Sequence, residues 1–149
     1  MTGRELILKA VKNQDTPRPA WLPFVGVHGA HLIDVTATDY LKSADLLVDG
    51  LSEAKKRYKP DALPVAFDLQ IEAEVLGCQL NWVDDGPPSV QTHPMSRMEG
   101  DGKSLDDLPE FSIEAVRMPV VLEATRRMRE KFGDQLGLYG LICGPFTLA

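Results

Sequence analysis

Asp68 closes an apolar run, Pro64-Val-Ala-Phe67, and the residues after it turn at once to helical spacing. A carboxylate set down at the end of a buried strand is poorly solvated, which suits it to act as a general acid, a base, or an anchor for cationic or N–H groups. The same position suits a helix N-cap for the segment starting at Gln70, a role that Asp favours strongly; residue chemistry alone leaves both readings open. His28 and His31 follow a second apolar run, Trp21 to Val27. They can polarise a substrate or, together with Asp68, ligate a metal, and they equally fit a polar glycine-containing turn, so no metal site is expected. Cys143, Gly144 and Pro145 follow a third run, Leu136 to Ile142. No partner that would lower the Cys143 pKa is visible, which favours an inert thiol over a nucleophile. Glu72 and Glu74 flank Ala73 and point in different directions on a helix, which argues against a paired-carboxylate hydrolase and puts at most one of them at a site. His93 reads as a solvated loop residue, and Asp84-Asp85 as part of the turn before Pro87.

The elements that would carry these residues alternate between strand and helix. Thr2 and Glu5 form a capping-box pattern, and Leu6, Ile7, Ala10 and Val11 share a helical face that ends near Asn13. Pro17 and Pro19 bar continuation. Trp21 to Val27 reads as a buried strand. From Thr36 or Thr38 to Tyr58 the residues Leu41, Ala44, Leu47, Val48, Leu51, Ala54 and Tyr58 recur at helical spacing, which predicts one long amphipathic helix. A strand over Ala62 to Phe67 and a short helix from Gln70 to Leu76 follow, with Gly77 as the C′ residue. Strand, helix, strand spacing of this kind indicates parallel pairing. The pattern then breaks: one short extended segment near Trp82 and a long loop or insertion over 84–111 are expected, either a lid or a surface excursion. Pro119 sits where a helix's first turn tolerates it, Glu123 stands four residues before Arg127 in the favourable ion-pair order, and Gly133 ends that helix after Phe132.

Composition excludes several classes. With 44% hydrophobic and 26% charged residues, the chain of 149 residues has the material for a core. No apolar stretch reaches the roughly 18 residues a membrane helix needs, and the start lacks a signal-peptide pattern, so a cytoplasmic location is expected. A net charge of −6 without a basic stripe argues against nucleic acid as a partner. Cys78 and Cys143 lack metal-ligand spacing and are expected to be free thiols.

As a set, Arg18-Pro-Ala-Trp21, the run from Pro64 through Asp68 to Cys78, Asp85-Gly-Pro-Pro88, Arg117-Met-Pro-Val120 and Gly144-Pro-Phe-Thr-Leu148 resemble the uroporphyrinogen decarboxylase superfamily. That superfamily also holds the cobalamin-dependent methyltransferases that methylate coenzyme M. The resemblance implies a (β/α)8 barrel, and such barrels run to at least about 200 residues. The expectation is therefore an α/β chain, a single partial domain over 1–149 that forms the N-terminal part of a TIM barrel. The resemblance also implies that Asp68 is the active-site aspartate, with His28, His31, Gly144 and Pro145 as substrate or cofactor contacts.

Decarboxylases of this group carry two arginines after the tryptophan that grip the substrate's carboxylates. Here the stretch is Leu22-Pro-Phe-Val-Gly-Val-His-Gly-Ala30, without arginine, and histidine does not replace a permanently charged bidentate donor. The methyltransferase branch is the better match. It implies methyl transfer from a methylated corrinoid (cobalamin) to a thiol that a zinc ion activates through a His-x-Cys and a later Cys. No His-x-Cys occurs in this sequence, so the zinc ligands are absent. The expected partners are a small-molecule substrate or a corrinoid protein, and either a second copy of the chain or a missing C-terminal half. A decarboxylase of porphyrin biosynthesis and a non-catalytic half-barrel that dimerises are the alternatives.

Overall fold

A computed structural model describes residues 1–94 and 104–148. Helix α1 spans Gly3–Val11. Both arms of its capping box form: Thr2 Oγ1 accepts from the Glu5 amide at 3.2 Å, and Glu5 Oε2 accepts from the Thr2 amide at 2.7 Å. The helix buries Leu6 and lies against the start of the sheet, so closely that a Cβ on Gly3 would stand 2.6 Å from the Asp61 carbonyl oxygen.

Trp21 to Val27 is not a strand. It runs extended with no ladder, and Trp21, Leu22 and Phe24 are exposed while Val25 is buried. Pro23 removes an amide that a ladder needs, and Gly26 turns the backbone at a φ of 51°. The segment is instead pinned at its start, where Trp21 exchanges bonds with Asp61: the Asp61 amide donates to the Trp21 carbonyl at 3.0 Å, and the Trp21 amide donates to Asp61 Oδ2 at 2.9 Å.

The residues after it form a short helix, α2 (His28–Leu32), where the spacing suggested a turn. The single helix expected up to Tyr58 is two helices, α3 (Ala37–Lys42) and α4 (Ala44–Tyr58). The break falls at Ser43, whose backbone is extended and whose Oγ accepts from the Leu46 amide at 3.3 Å. Serine competes for backbone donors, and here it caps rather than continues. Tyr40, Leu47, Val48, Leu51 and Ala54 all point into the core.

Strand β1 (Ala62–Pro64) pairs parallel with β4 (Gly137–Tyr139), Leu63 opposite Leu138. Parallel pairing was expected, but with Trp21 to Val27 as the partner. Both strands are shorter than the apolar runs that encode them. Between them come α5 (Ile71–Val75), a small antiparallel hairpin of β2 (Leu80–Asn81) and β3 (Ser89–Val90), a 3-10 turn over Leu105–Asp107, and α6 (Met118–Phe132). Part of the expected 84–111 loop is thus the second arm of that hairpin, and residues 95–103 lie outside the described residues. Gly77 takes a φ of 94° just past α5, as its expected role after a helix end requires. Helix α6 packs Ala124 and Met128 on the α4 face of the core. Its Glu123 pairs with Arg126 at 2.8 Å and not with Arg127, because Arg127 faces α4 and reaches Asp45 at 2.5 Å. Helix α7 (Pro145–Leu148) follows β4. Among the described residues the strands do not close a barrel, and no helix is long and apolar enough to cross a membrane.

Asp61 ties α1, the 21–27 segment and β1 together, since Arg18 also clasps it with bonds of 2.6 and 2.8 Å. The Arg18 hydrogen bonds, helped by the Trp21 amide and the guanidinium charge and opposed by burial, hold the Asp61 carboxyl below its ordinary value. A carboxylate with a lowered folded-state pKa adds stability that is present above the unfolded value, and the stability drains as pH falls through the folded value. The half-exposed Arg18 keeps the contribution modest. Asp61→Asn should cost about 1–2 kcal/mol at neutral pH, and melting scans below about pH 4 should show the parent losing its advantage over the variant. A pH-independent gap between the two would remove the ion pair as its cause.

Candidate active site

Asp68 lies just beyond β1, where the chain leaves the sheet for α5. Its two oxygens have different tasks. Oδ1 accepts from the Gln70 amide at 2.9 Å, shaping the turn into the helix, and Oδ2 accepts from Arg117 Nη1 at 2.5 Å. Neither reading of Asp68 is thereby excluded: α5 begins at Ile71 behind a Gln70 cap that makes no side-chain bond, so Asp68 organises the approach to the helix with one oxygen and holds Arg117 with the other. Its side chain is 1% exposed and Arg117's 7%. A carboxylate keeps about four lone-pair sites, so capacity remains for a ligand N–H or cation.

Arg117 comes from the residue before α6. Besides Asp68 it donates from Nε to Glu74 Oε2 at 2.7 Å, and its guanidinium carbon lies 4.7 Å from the centre of the Trp82 ring. Two carboxylates and one guanidinium leave the group with a net negative charge inside a poorly solvated space, where charges are strongly felt. Glu72, on the neighbouring position of α5, turns instead to the Cys143 amide at 3.0 Å and ties the end of β4 to that helix.

Asp68 forms part of the wall of a cleft of about 370 Å³ together with Phe24, Val27, His28, Phe67 and Gln70. That volume is within the ordinary range for small-molecule sites. The Phe24 and Phe67 rings stand 4.9 Å apart and give the cleft an apolar side. His28 starts α2, and its Nε2 is 2.8 Å from the Tyr58 hydroxyl at the end of α4. Among the described residues, the lining thus holds one carboxylate and one imidazole, and no arginine or lysine.

Of the residues picked out in the sequence, the cleft brings together His28 and Asp68. His31 is exposed on the next turn of α2, its ring centre 6.4 Å from that of His28. Gly144 and Pro145 are exposed beyond β4 and are not part of the lining. Cys78, His93 and Cys143 border a separate recess of about 170 Å³. Both cysteines are free, and burial pushes the Cys78 thiol up, away from the thiolate. Among the described residues, no group of three or more His, Cys, Asp or Glu side chains is placed to hold a metal ion, so a zinc site does not fit them. Sequence reasoning missed Arg117 and Trp82, and left open which of Glu72 and Glu74 faces the site; Glu74 is the one on Arg117. Arg117 stood in a quoted motif, and the available signal was an arginine directly ahead of a proline-started helix with no acid at ion-pair spacing in its first turn.

The model of the family described as uroporphyrinogen decarboxylase (URO-D) matches residues 2–149. Among curated proteins, the chain is 36% identical over 90 residues to the methylcobamide:CoM methyltransferase MtbA of Methanosarcina acetivorans, which covers 60% of this chain and 25% of that protein. It is 30% identical over 107 residues to the uroporphyrinogen decarboxylase of Wolbachia sp. subsp. Brugia malayi, which covers 72% of this chain and 28% of that one. These alignments span only about a quarter of the length of the curated relatives. A solved methyltransferase from Methanosarcina mazei superposes with a TM-score of 0.78 at 23% identity, over 99% of this chain and 44% of that one. At that identity the likeness bears on the fold alone.

Proposed function

The chain belongs to the uroporphyrinogen decarboxylase family, and from that premise we propose that it is the N-terminal part of a (β/α)8 barrel that transfers a methyl group from a methylated corrinoid to a thiol. The observation that carries this reading is the make-up of the cleft wall among the described residues: Phe24 and Phe67 form an apolar side beside one carboxylate, Asp68, and one imidazole, His28. A porphyrinogen bearing many carboxylates needs fixed cationic forks to hold it. Phe24 and Phe67 with a single carboxylate and a histidine offer no such grip. They suit a mostly apolar ligand face that presents one N–H or cationic group to Asp68.

In the transfer, the acceptor thiol gives its proton to solvent, and a bond forms between the thiolate sulfur and the methyl carbon as the carbon–cobalt bond breaks, its electron pair staying on cobalt. The corrinoid is a substrate here, carried free or on a corrinoid protein. Asp68 orients the ligand from the cleft floor, His28 supplies a polar contact braced by Tyr58, and the apolar wall excludes water from the methyl group. His31, Gly144 and Pro145 are assigned to the outer part of the same strand-end face, where a larger ligand or a carrier protein would reach.

A second reading has its own support. Ile142 is 82% exposed and Phe146 fully so, and Trp21 and Phe24 are exposed as well; exposed apolar side chains of this size call for cover. The chain would then bury them against a second copy or another subunit without catalysis. One experiment separates the two: native mass and visible absorbance are recorded together, and methylcobalamin is then supplied with 2-mercaptoethanesulfonate. Methyl thioether formation with the matching corrinoid colour change supports methyl transfer. An assembly that takes up no corrinoid and forms no thioether supports the second reading. A colourless, inactive monomer that unfolds cooperatively sinks both.

A further inference from the structure

We infer that Arg117 is a positioning residue for this site, one that sets the orientation of Asp68 without touching the ligand; the inference rests on the role proposed above for Asp68. Three independent features of the structure support it. The first is geometry: the guanidinium bridges Asp68 and Glu74 through two different nitrogens, Nη1 at 2.5 Å and Nε at 2.7 Å. A planar fork can do this and a lysine ammonium cannot do it with the same geometry.

The second feature is burial. Arg117 is hidden behind Trp82 and is absent from the cleft lining, while its Nη2 has no hydrogen-bond partner among the described residues. A buried guanidinium with an idle nitrogen is a poor device for stability alone, since an uncompensated buried donor is costly. Its value here lies in what Nη1 and Nε hold.

The third feature is the backbone. Val116, the residue before it, has a φ of 43°. A β-branched residue in the left-handed region is a steric outlier, and such strain persists only where surrounding contacts over-determine it. The turn at Val116 aims Arg117 inward from the start of α6, across 49 residues of chain from Asp68. The strain is the cost of that placement.

The test is a double-mutant cycle on methyl transfer by the native protein, comparing parent, Arg117→Lys, Asp68→Asn and the double variant, with melting temperatures measured for each. Arg117→Lys should lower kcat on the order of ten- to a hundredfold with little change in KM, the scale of a catalytic group displaced by about an ångström. The double variant should be no slower than Asp68→Asn alone. Glu74→Gln, which removes the charge from the other prong of the fork and keeps both Asp68 and Arg117, should lower kcat severalfold and provides a measurement should Arg117→Lys fold poorly. Multiplicative losses in the double variant would make Arg117 a structural residue and overturn the inference, as would parental kcat in both Arg117→Lys and Glu74→Gln while Asp68→Asn is impaired. Parental turnover in Asp68→Asn itself would instead overturn the functional reading, and the inference with it.

Discussion

Gly50→Val should destabilise the chain by about 3 kcal/mol, which for a protein of this size lowers the melting temperature by roughly ten degrees. Gly50 lies in α4 where α2 crosses it, and a Cβ there would stand 2.6 Å from the carbonyl oxygen of Gly29 and 2.6 Å from Cε2 of Tyr40. Gly29 is equally confined, its own Cβ position 2.2 Å from the Tyr40 hydroxyl. The obstacle at Gly50 is backbone, which cannot rotate away, and a tyrosine ring that is 1% exposed. Two effects compete in the smaller change Gly50→Ala: replacing a helical glycine gains about 1 kcal/mol of helix propensity, and overpacking costs about 1–3 kcal/mol. Overpacking wins if the helices are as close as they stand here, so Gly50→Ala should be mildly destabilising and Gly50→Val severely so. Thermal unfolding of both variants decides it, and a stabilised Gly50→Ala would mean that α2 is not seated on α4. The consequence reaches the cleft, because α2 begins at His28.

That contact was not legible in the sequence, and the reason is general. Periodicity says which face of α4 is apolar, and Leu47, Val48, Leu51 and Ala54 are indeed buried; it does not say which glycine a neighbouring backbone will approach. Local signals were legible where one residue decides one conformation: the Thr2 and Glu5 capping box, Gly77 after α5, and the stop at Gly133 after Phe132. They failed where two local solutions share a pattern. Ser43 keeps the apolar spacing of a continuous helix from Leu41 through Leu47, yet spends its hydroxyl on a cap. Trp21 to Val27 carries the composition of a buried strand, but composition cannot supply the neighbour that would cover it.

The candidate site divides in the same way. Asp68 and His28 could be picked out because each follows an apolar run, although the run before His28 forms no strand and the strand before Asp68 stops at Pro64. Arg117 could not be assigned to Asp68, since their ion pair spans 49 residues and no spacing rule connects them. What unites them is tertiary: the residue before α6 meets α5 where Arg117 reaches Glu74 as well as Asp68.

Asp68→Asn is the substitution with the largest expected effect on turnover, a fall in kcat on the order of a hundredfold or more, the scale set by loss of a positioned ionisable group. Asparagine preserves the volume and still accepts from the Gln70 amide through its carbonyl, so the turn into α5 should survive. It removes the charge opposite Arg117, and breaking one member of a buried pair costs about 3–5 kcal/mol. Because Glu74 remains on the same guanidinium at 2.7 Å, the loss should sit at or below the low end of that range. Asp68→Ala should cost about 1 kcal/mol more, the contribution of the hydrogen bond to the Gln70 amide that it also forfeits. The two variants therefore separate stability from chemistry: both should lose turnover to a similar extent although their melting temperatures differ. Turnover that tracked the folded fraction in each variant would reduce Asp68 to an organiser of the α5 turn. Unchanged turnover in Asp68→Asn would remove it from the active site.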